Sequence, residues 1–169
     1  MSADAVVHEL YRDDEVRGAV VARWGTEVAP DGVVDRGAVA RRVFGAPDER
    51  AWLERLLWPR VGQRVAAWRE ALEARRPYPR AAVVETPLLF EAGLEGGYDA
   101  TIAVIADEEV RAARAAARGH HAVDERSARQ LSQEDKAARA TYVVSNSGTL
   151  DELELALAAV LEKLERDER

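Results

Sequence analysis

Three short apolar runs, Ala81-Ala82-Val83-Val84, Thr101-Ile102-Ala103-Val104-Ile105 and Thr141-Tyr142-Val143-Val144, constrain this chain more than any other feature. The latter two are separated and followed by stretches with helical spacing. Each run is bounded by turn-forming or polar residues, as in Pro79-Arg80 before the first and Ser145-Asn146-Ser147-Gly148 after the third. Runs of this length and composition read as strands buried on both faces, and strands alternating with helices build a parallel sheet. The expected fold class is therefore α/β.

The first 76 residues carry a different pattern. Val6, Val7, Leu10 and Tyr11 recur at helical spacing, with no strand before them. Asp4 reads as a helix N-cap, with His8 on the helix face. After a turn at Asp31-Gly32, Asp35 reads as the N-cap of a short helix carrying Val39, Val43 and Phe44. From Glu49 to Arg75 the residues Trp52, Leu53, Leu56, Leu57, Val61, Val65 and Trp68 share helical spacing, with Pro59 marking a kink or a junction between two helices. The tryptophans at 24, 52, 58 and 68 read as core or interhelical packing. Further helices are expected from about Glu108 to Arg118, within Asp124 to Ala138, and after the third run, where an amphipathic helix carries Leu150, Leu153, Leu155, Leu157, Val160, Leu161 and Leu164.

Composition excludes several classes of function. The 169 residues carry a net charge of −7, which argues against nonspecific nucleic-acid binding. There is no cysteine, so disulfides, thiol catalysis and thiolate metal sites are excluded, and the three histidines His8, His120 and His121 offer little to a metal. No apolar stretch is long enough to cross a bilayer, no membrane partner is expected, and the default location is cytoplasmic.

In an open parallel sheet ligands bind beyond the carboxyl ends of the strands. Glu85, after the first run, is placed either as a solvated strand-end acid or as a carboxylate near a magnesium-bound phosphate. Arg111, Arg114 and Arg118 lie at helical spacing and read either as a solvated face or as a clamp for a polyphosphate. Ser145-Asn146-Ser147-Gly148 reads either as a capping turn or as a loop approaching a nucleobase.

Taken in order, these stretches resemble the dephospho-coenzyme A kinase family. The resemblance rests on Pro87-Leu88-Leu89-Phe90-Glu91, continued by Ala92-Gly93-Leu94; on Asp31-Gly32, Asp35-Arg36 and Val43-Phe44; and on Arg114, Arg118, Gln130, Lys136 and Asn146-Ser147-Gly148. It implies one domain over residues 1–169, with a three-layer parallel sheet of P-loop kinase type. Within it, 4–76 is a helical coenzyme-binding insertion, 77–166 the α/β core, and about 108–130 an arginine-bearing lid. The implied reaction is ATP-dependent phosphorylation of the ribose 3′-hydroxyl of dephospho-coenzyme A, the last step of coenzyme A synthesis. Its implied requirements are ATP and Mg²⁺, its partners these small molecules alone.

The residue roles implied are Asp4 as general base, Arg114 and Arg118 offsetting charge on the transferring phosphoryl group, and Asn146 and Gly148 near the adenine. Asp4, His8, Pro87, Leu88, Leu89, Phe90 and Glu91 form the substrate side, with no protein metal ligand assigned. The family's opening strand and its Gly-x-x-x-x-Gly-Lys-Ser/Thr loop have no counterpart here: the only lysines are Lys136 and Lys163, and neither follows a glycine-rich run. The sequence is roughly thirty residues short of the family pattern, allowing for a strand, a loop and a helix. The expectation is that the reading frame opens upstream of Met1, and that the chain as written turns over little or no substrate. Two other readings are a noncatalytic module that binds a coenzyme A-like ligand, and a nucleoside monophosphate kinase.

Overall fold

The computed structural model describes residues 1–117 and 130–167. The chain divides into two compact units, Met1–Thr86 and Pro87–Arg169.

The first unit is helical: α1 (Ala3–Leu10), α2 (Asp14–Trp24), α3 (Arg36–Val43) and α4 (Pro47–Glu73). Ser2, not Asp4, holds the N-cap position of α1, and Asp4 lies in the first turn, where its charge complements the helix dipole. The sequence had not marked the start of α2, which is capped by Asp13 accepting from the N–H groups of Glu15 and Val16. The chain then turns through Asp31 and Gly32, both with left-handed backbone (φ 56° and 76°), a conformation that aspartate tolerates and glycine adopts without strain. Asp35 caps α3 as expected, accepting from the Gly37 N–H at 2.8 Å. Phe44 falls just past its end and is exposed.

Pro47 occupies the first turn of α4, where its missing N–H costs nothing. Pro59 neither ends nor divides this 27-residue helix. One residue on from the carbonyl that Pro59 leaves without its helical donor, the Leu56 carbonyl accepts from the Arg60 side chain at 2.8 Å. The core joins Val6, Leu10 and Tyr11 with Val16 and Val20 of α2, Val28, Val39 of α3 and Leu57 of α4. Trp24 and Trp52 meet edge to face with ring centroids 5.0 Å apart. Glu49 accepts from both the Trp24 indole (2.7 Å) and Arg23 (2.8 and 3.0 Å). These hydrogen bonds hold its carboxyl below the ordinary glutamate value. Trp58, expected in the packing, is instead largely exposed.

Ala81-Ala82-Val83-Val84 does not form the expected buried strand. Its first three residues are exposed, and the only bridge nearby is a parallel one between Glu85 and Ser2. The backbone partners are few: Glu85 N–H donates to the Met1 carbonyl, the Ala3 N–H to the Glu85 carbonyl, and the terminal ammonium to the Val83 carbonyl. A single bridge is not the ladder of evenly spaced bonds that makes a parallel strand.

The second unit holds β1 (Ile102–Ile105), α5 (Glu108–Ala117), α6 (Gln133–Arg139), β2 (Tyr142–Ser145) and α7 (Leu150–Asp167). The two strands are parallel, with Ile102 opposite Tyr142 and Ile105 opposite Ser145. They are the second and third of the expected runs. Their entrances are locked reciprocally: the Thr101 N–H donates to the Thr141 hydroxyl oxygen and the Thr141 N–H to that of Thr101, both at 3.0 Å. Helix α6 packs on β1 and α7 on β2. Among the described residues no helix is long and apolar enough to cross a membrane.

Candidate functional site

Because β1 and β2 are adjacent and parallel, their carboxyl ends deliver two loops side by side: Ala106-Asp107 after β1, and Asn146-Ser147-Gly148 after β2. The Asp107 N–H donates to the Ser147 hydroxyl oxygen at 2.9 Å, and the Asn146 N–H to the Ile105 carbonyl at 2.7 Å. The loop after β2 is not consumed in capping α7. That work falls to Thr149 and Glu152, each accepting from the other's N–H, at 2.8 and 3.2 Å. The Thr149 donors hold the Glu152 carboxyl below its usual value.

Arg114 reaches this loop from α5. Its guanidinium donates to the Asn146 carbonyl at 2.6 Å and to the Gly148 carbonyl at 3.4 Å. One arginine thereby fixes the backbone on both sides of Ser147, bringing together three residues that the sequence had placed in one site. Arg111 is drawn aside into an ion pair with Glu108 at 2.7 Å, so it does not join Arg114 in a common clamp. Arg118, His120 and His121 lie outside the described residues.

A second set of contacts comes from α6, whose residues Gln133, Lys136 and Arg139 share one face at three-residue spacing. Gln133 grips Ala106 with both ends of its amide, accepting from the N–H at 2.8 Å and donating to the carbonyl at 2.9 Å. Lys136 donates to the Pro87 carbonyl and to Glu91, both at 2.9 Å. Arg139 pairs with Glu95 and stacks over Phe90 at 5.1 Å. The Pro87 to Glu91 motif is thus tied to the helix that holds the end of β1.

Within that motif Phe90 is buried, Leu89 half-buried, and Pro87 and Leu88 exposed. Glu91 accepts on one oxygen from both Lys136 and the Leu131 N–H, while its other oxygen is buried without a partner among the described residues. Burial pushes the Glu91 carboxyl up, but hydrogen bonds from Lys136 and from backbone N–H groups outweigh it and hold the group below its ordinary value.

Gln133 was missed in the sequence, which drew attention to Gln130 instead; Gln130 is exposed. Its only sequence signal is its three-residue offset from Lys136. Asp4 and His8 belong to the first unit, one helical turn apart on α1, and both are exposed. Glu85 is also exposed, and its structural role is through its backbone bridge to Ser2.

No group of three or more histidine, aspartate or glutamate side chains among the described residues is arranged to hold a metal. Mg²⁺ is commonly held by one or two carboxylates together with substrate phosphates, and no chemical step is assigned here to a metal on these residues.

The sequence pattern of the dephospho-CoA kinase family matches residues 1–152. A dephospho-CoA kinase from Deinococcus radiodurans is 42% identical over 161 residues, covering 85% of this chain and 77% of the relative. One from Symbiobacterium thermophilum is 37% identical over 156 residues, covering 89% and 64% respectively. Among solved structures, TT1252 from Thermus thermophilus superposes with a TM-score of 0.77 at 35% identity, covering 97% of this chain and 83% of that one. Dephospho-CoA kinase from Campylobacter jejuni, at a TM-score of 0.66 and 19% identity, shares the fold and covers 100% of this chain and 86% of its own. The motifs, the α/β fold and these relatives agree: the chain belongs to the dephospho-CoA kinase family.

Proposed function

We propose that the chain serves the transfer of a phosphoryl group from ATP to the ribose 3′-hydroxyl of dephospho-coenzyme A. Residues 4–76 take the coenzyme, and the strand-end residues of the second unit take the nucleotide. The observation that carries this reading is Arg114 braced on the carbonyls of Asn146 and Gly148 at the carboxyl ends of two parallel strands. Nucleotides bind at such ends in open α/β sheets. The Asn146 amide then meets the adenine, and Arg114 and Arg118 offset charge on the transferring group. Asp4 accepts the ribose proton, and Pro87 to Glu91 belong to the substrate side.

Phosphoryl transfer depends mainly on positioning and charge neutralisation. The 169 residues contain no Gly-x-x-x-x-Gly-Lys-Ser/Thr loop to cradle the nucleotide phosphates. The reading therefore has two parts: recognition of dephospho-coenzyme A, and little or no turnover by these residues alone. A coupled ADP-release assay with ATP, Mg²⁺ and dephospho-coenzyme A tests the second part, with a rate near the uncatalysed background expected. Robust turnover would show that some other element of this chain holds the phosphates.

A further inference from the structure

Asp35-Arg36 is the part of the sequence pattern that the proposed reaction leaves without a task. Arg36 opens α3, yet the acid beside it is already engaged: Asp35 accepts from the Gly37 N–H at 2.8 Å and faces Arg41 at 3.7 Å. No carboxylate among the described residues pairs with Arg36. Its guanidinium instead lies 3.4 Å from Nδ1 of His8. Its charge also reaches the Tyr11 phenol, where it opposes the upward push of burial on the hydroxyl.

Asp4, His8 and Tyr11 stand at four- and three-residue intervals and so share one face of α1 and its C-terminal turn. Arg36 is set against that stripe. A guanidinium has five N–H donors and no acceptor, so donation to Nδ1 requires a neutral imidazole carrying its proton on Nε2. The pair consequently presents further donors and no acceptor of its own. An arginine without an acid, beside a histidine whose remaining ring nitrogen donates, suits an oxyanion, and the planar fork matches a phosphate.

We propose that Arg36 and His8 form a binding site for the diphosphate of an organic diphosphate ester, namely the coenzyme precursor, on α1 one turn from Asp4. The identity of the ester rests on the proposed function; the anion chemistry does not. Arg36 thereby becomes a substrate-binding residue, and Asp4 is left beside it for a hydroxyl.

The test uses the whole chain and the proton resonances of the His8 ring, assigned with His8→Gln. Inorganic pyrophosphate, dephospho-coenzyme A and ATP are titrated in separate arms into the wild type, Arg36→Met and Arg36→Lys, with circular dichroism confirming that the variants fold. Pyrophosphate and dephospho-coenzyme A are expected to shift the His8 resonance. Arg36→Met weakens both by about tenfold to a hundredfold, the range for hydrogen bonds to charged groups. Arg36→Lys restores only part of this, because a point charge lacks the fork. A His8 signal indifferent to pyrophosphate, or a folded Arg36→Met binding within about twofold of wild type, overturns the site. A response to pyrophosphate but not to dephospho-coenzyme A keeps the anion site and refutes the coenzyme as its ligand. A stronger response to ATP than to dephospho-coenzyme A assigns the site to the nucleotide and overturns the proposal as stated.

Discussion

Replacing Lys136 by methionine should destabilise the second unit by roughly 2–4 kcal/mol, because it strands the Glu91 carboxylate in a largely buried position. The side chains of Lys136 and Glu91 are only 22% and 15% exposed, and one Glu91 oxygen already lacks a partner. Removing the ammonium leaves the carboxylate with backbone N–H donors only, among them that of Leu131. The Pro87 carbonyl loses its donor at the same time. Replacing both partners, as in Lys136→Met with Glu91→Leu, should recover much of the loss, since no charge is then buried unpaired. Urea denaturation followed by circular dichroism measures both variants.

The pair also has a pH signature. The folded-state value of Glu91 is depressed, so its stabilisation is fully present above the ordinary glutamate value and is lost as the pH falls through the lowered one. Lys136→Met should flatten that acid limb. An unchanged acid limb in the variant would mean that the ion pair contributes nothing.

Leu57→Ala should cost the first unit about 2–5 kcal/mol, the range for opening a cavity in a packed core. Leu57 is 5% exposed and is the buried residue through which α4 joins the cluster of Val6, Leu10, Val16 and Val20. All four tryptophans lie in the first unit, so the intrinsic fluorescence of the chain reports on that unit. A loss of unfolding free energy below about 1 kcal/mol in that signal would show that α4 contributes little to the core.

The parts of the fold carried by local pattern were legible in the sequence. The helical first 76 residues, the cap at Asp35 and the positive-φ turn at Asp31-Gly32 each follow from residue types within a few positions of one another. The strands at 102–105 and 142–145 were equally plain. Ala81 to Val84 has the same composition, but a strand exists only where a neighbour completes its ladder, and neighbours are not written in local sequence. Of the two readings of Pro59, the junction between two helices is overturned, because α4 runs unbroken from Pro47 to Glu73.

In the site, the strand-end loops were legible from topology alone, whereas helical spacing left Arg114 open between a solvated face and a clamp, and only the family resemblance set it beside Asn146 and Gly148. The contacts that organise the site were not. Gln133 meets Ala106 across 27 residues and Lys136 meets Pro87 across 49. No spacing rule reaches so far. The sequence placed a helix within Asp124 to Ala138 but did not single out its face at 133, 136 and 139, and the structure supplies what each member of that face holds.

Recognition of dephospho-coenzyme A, as proposed, can be measured by calorimetric titration of the 169 residues. Dephospho-coenzyme A and a nucleoside monophosphate are titrated in parallel, without ATP. Saturable binding of dephospho-coenzyme A is expected, with at least tenfold weaker binding of the monophosphate, about 1.4 kcal/mol of discrimination or more. Tighter binding of the monophosphate, or no heat of binding with dephospho-coenzyme A, would contradict it.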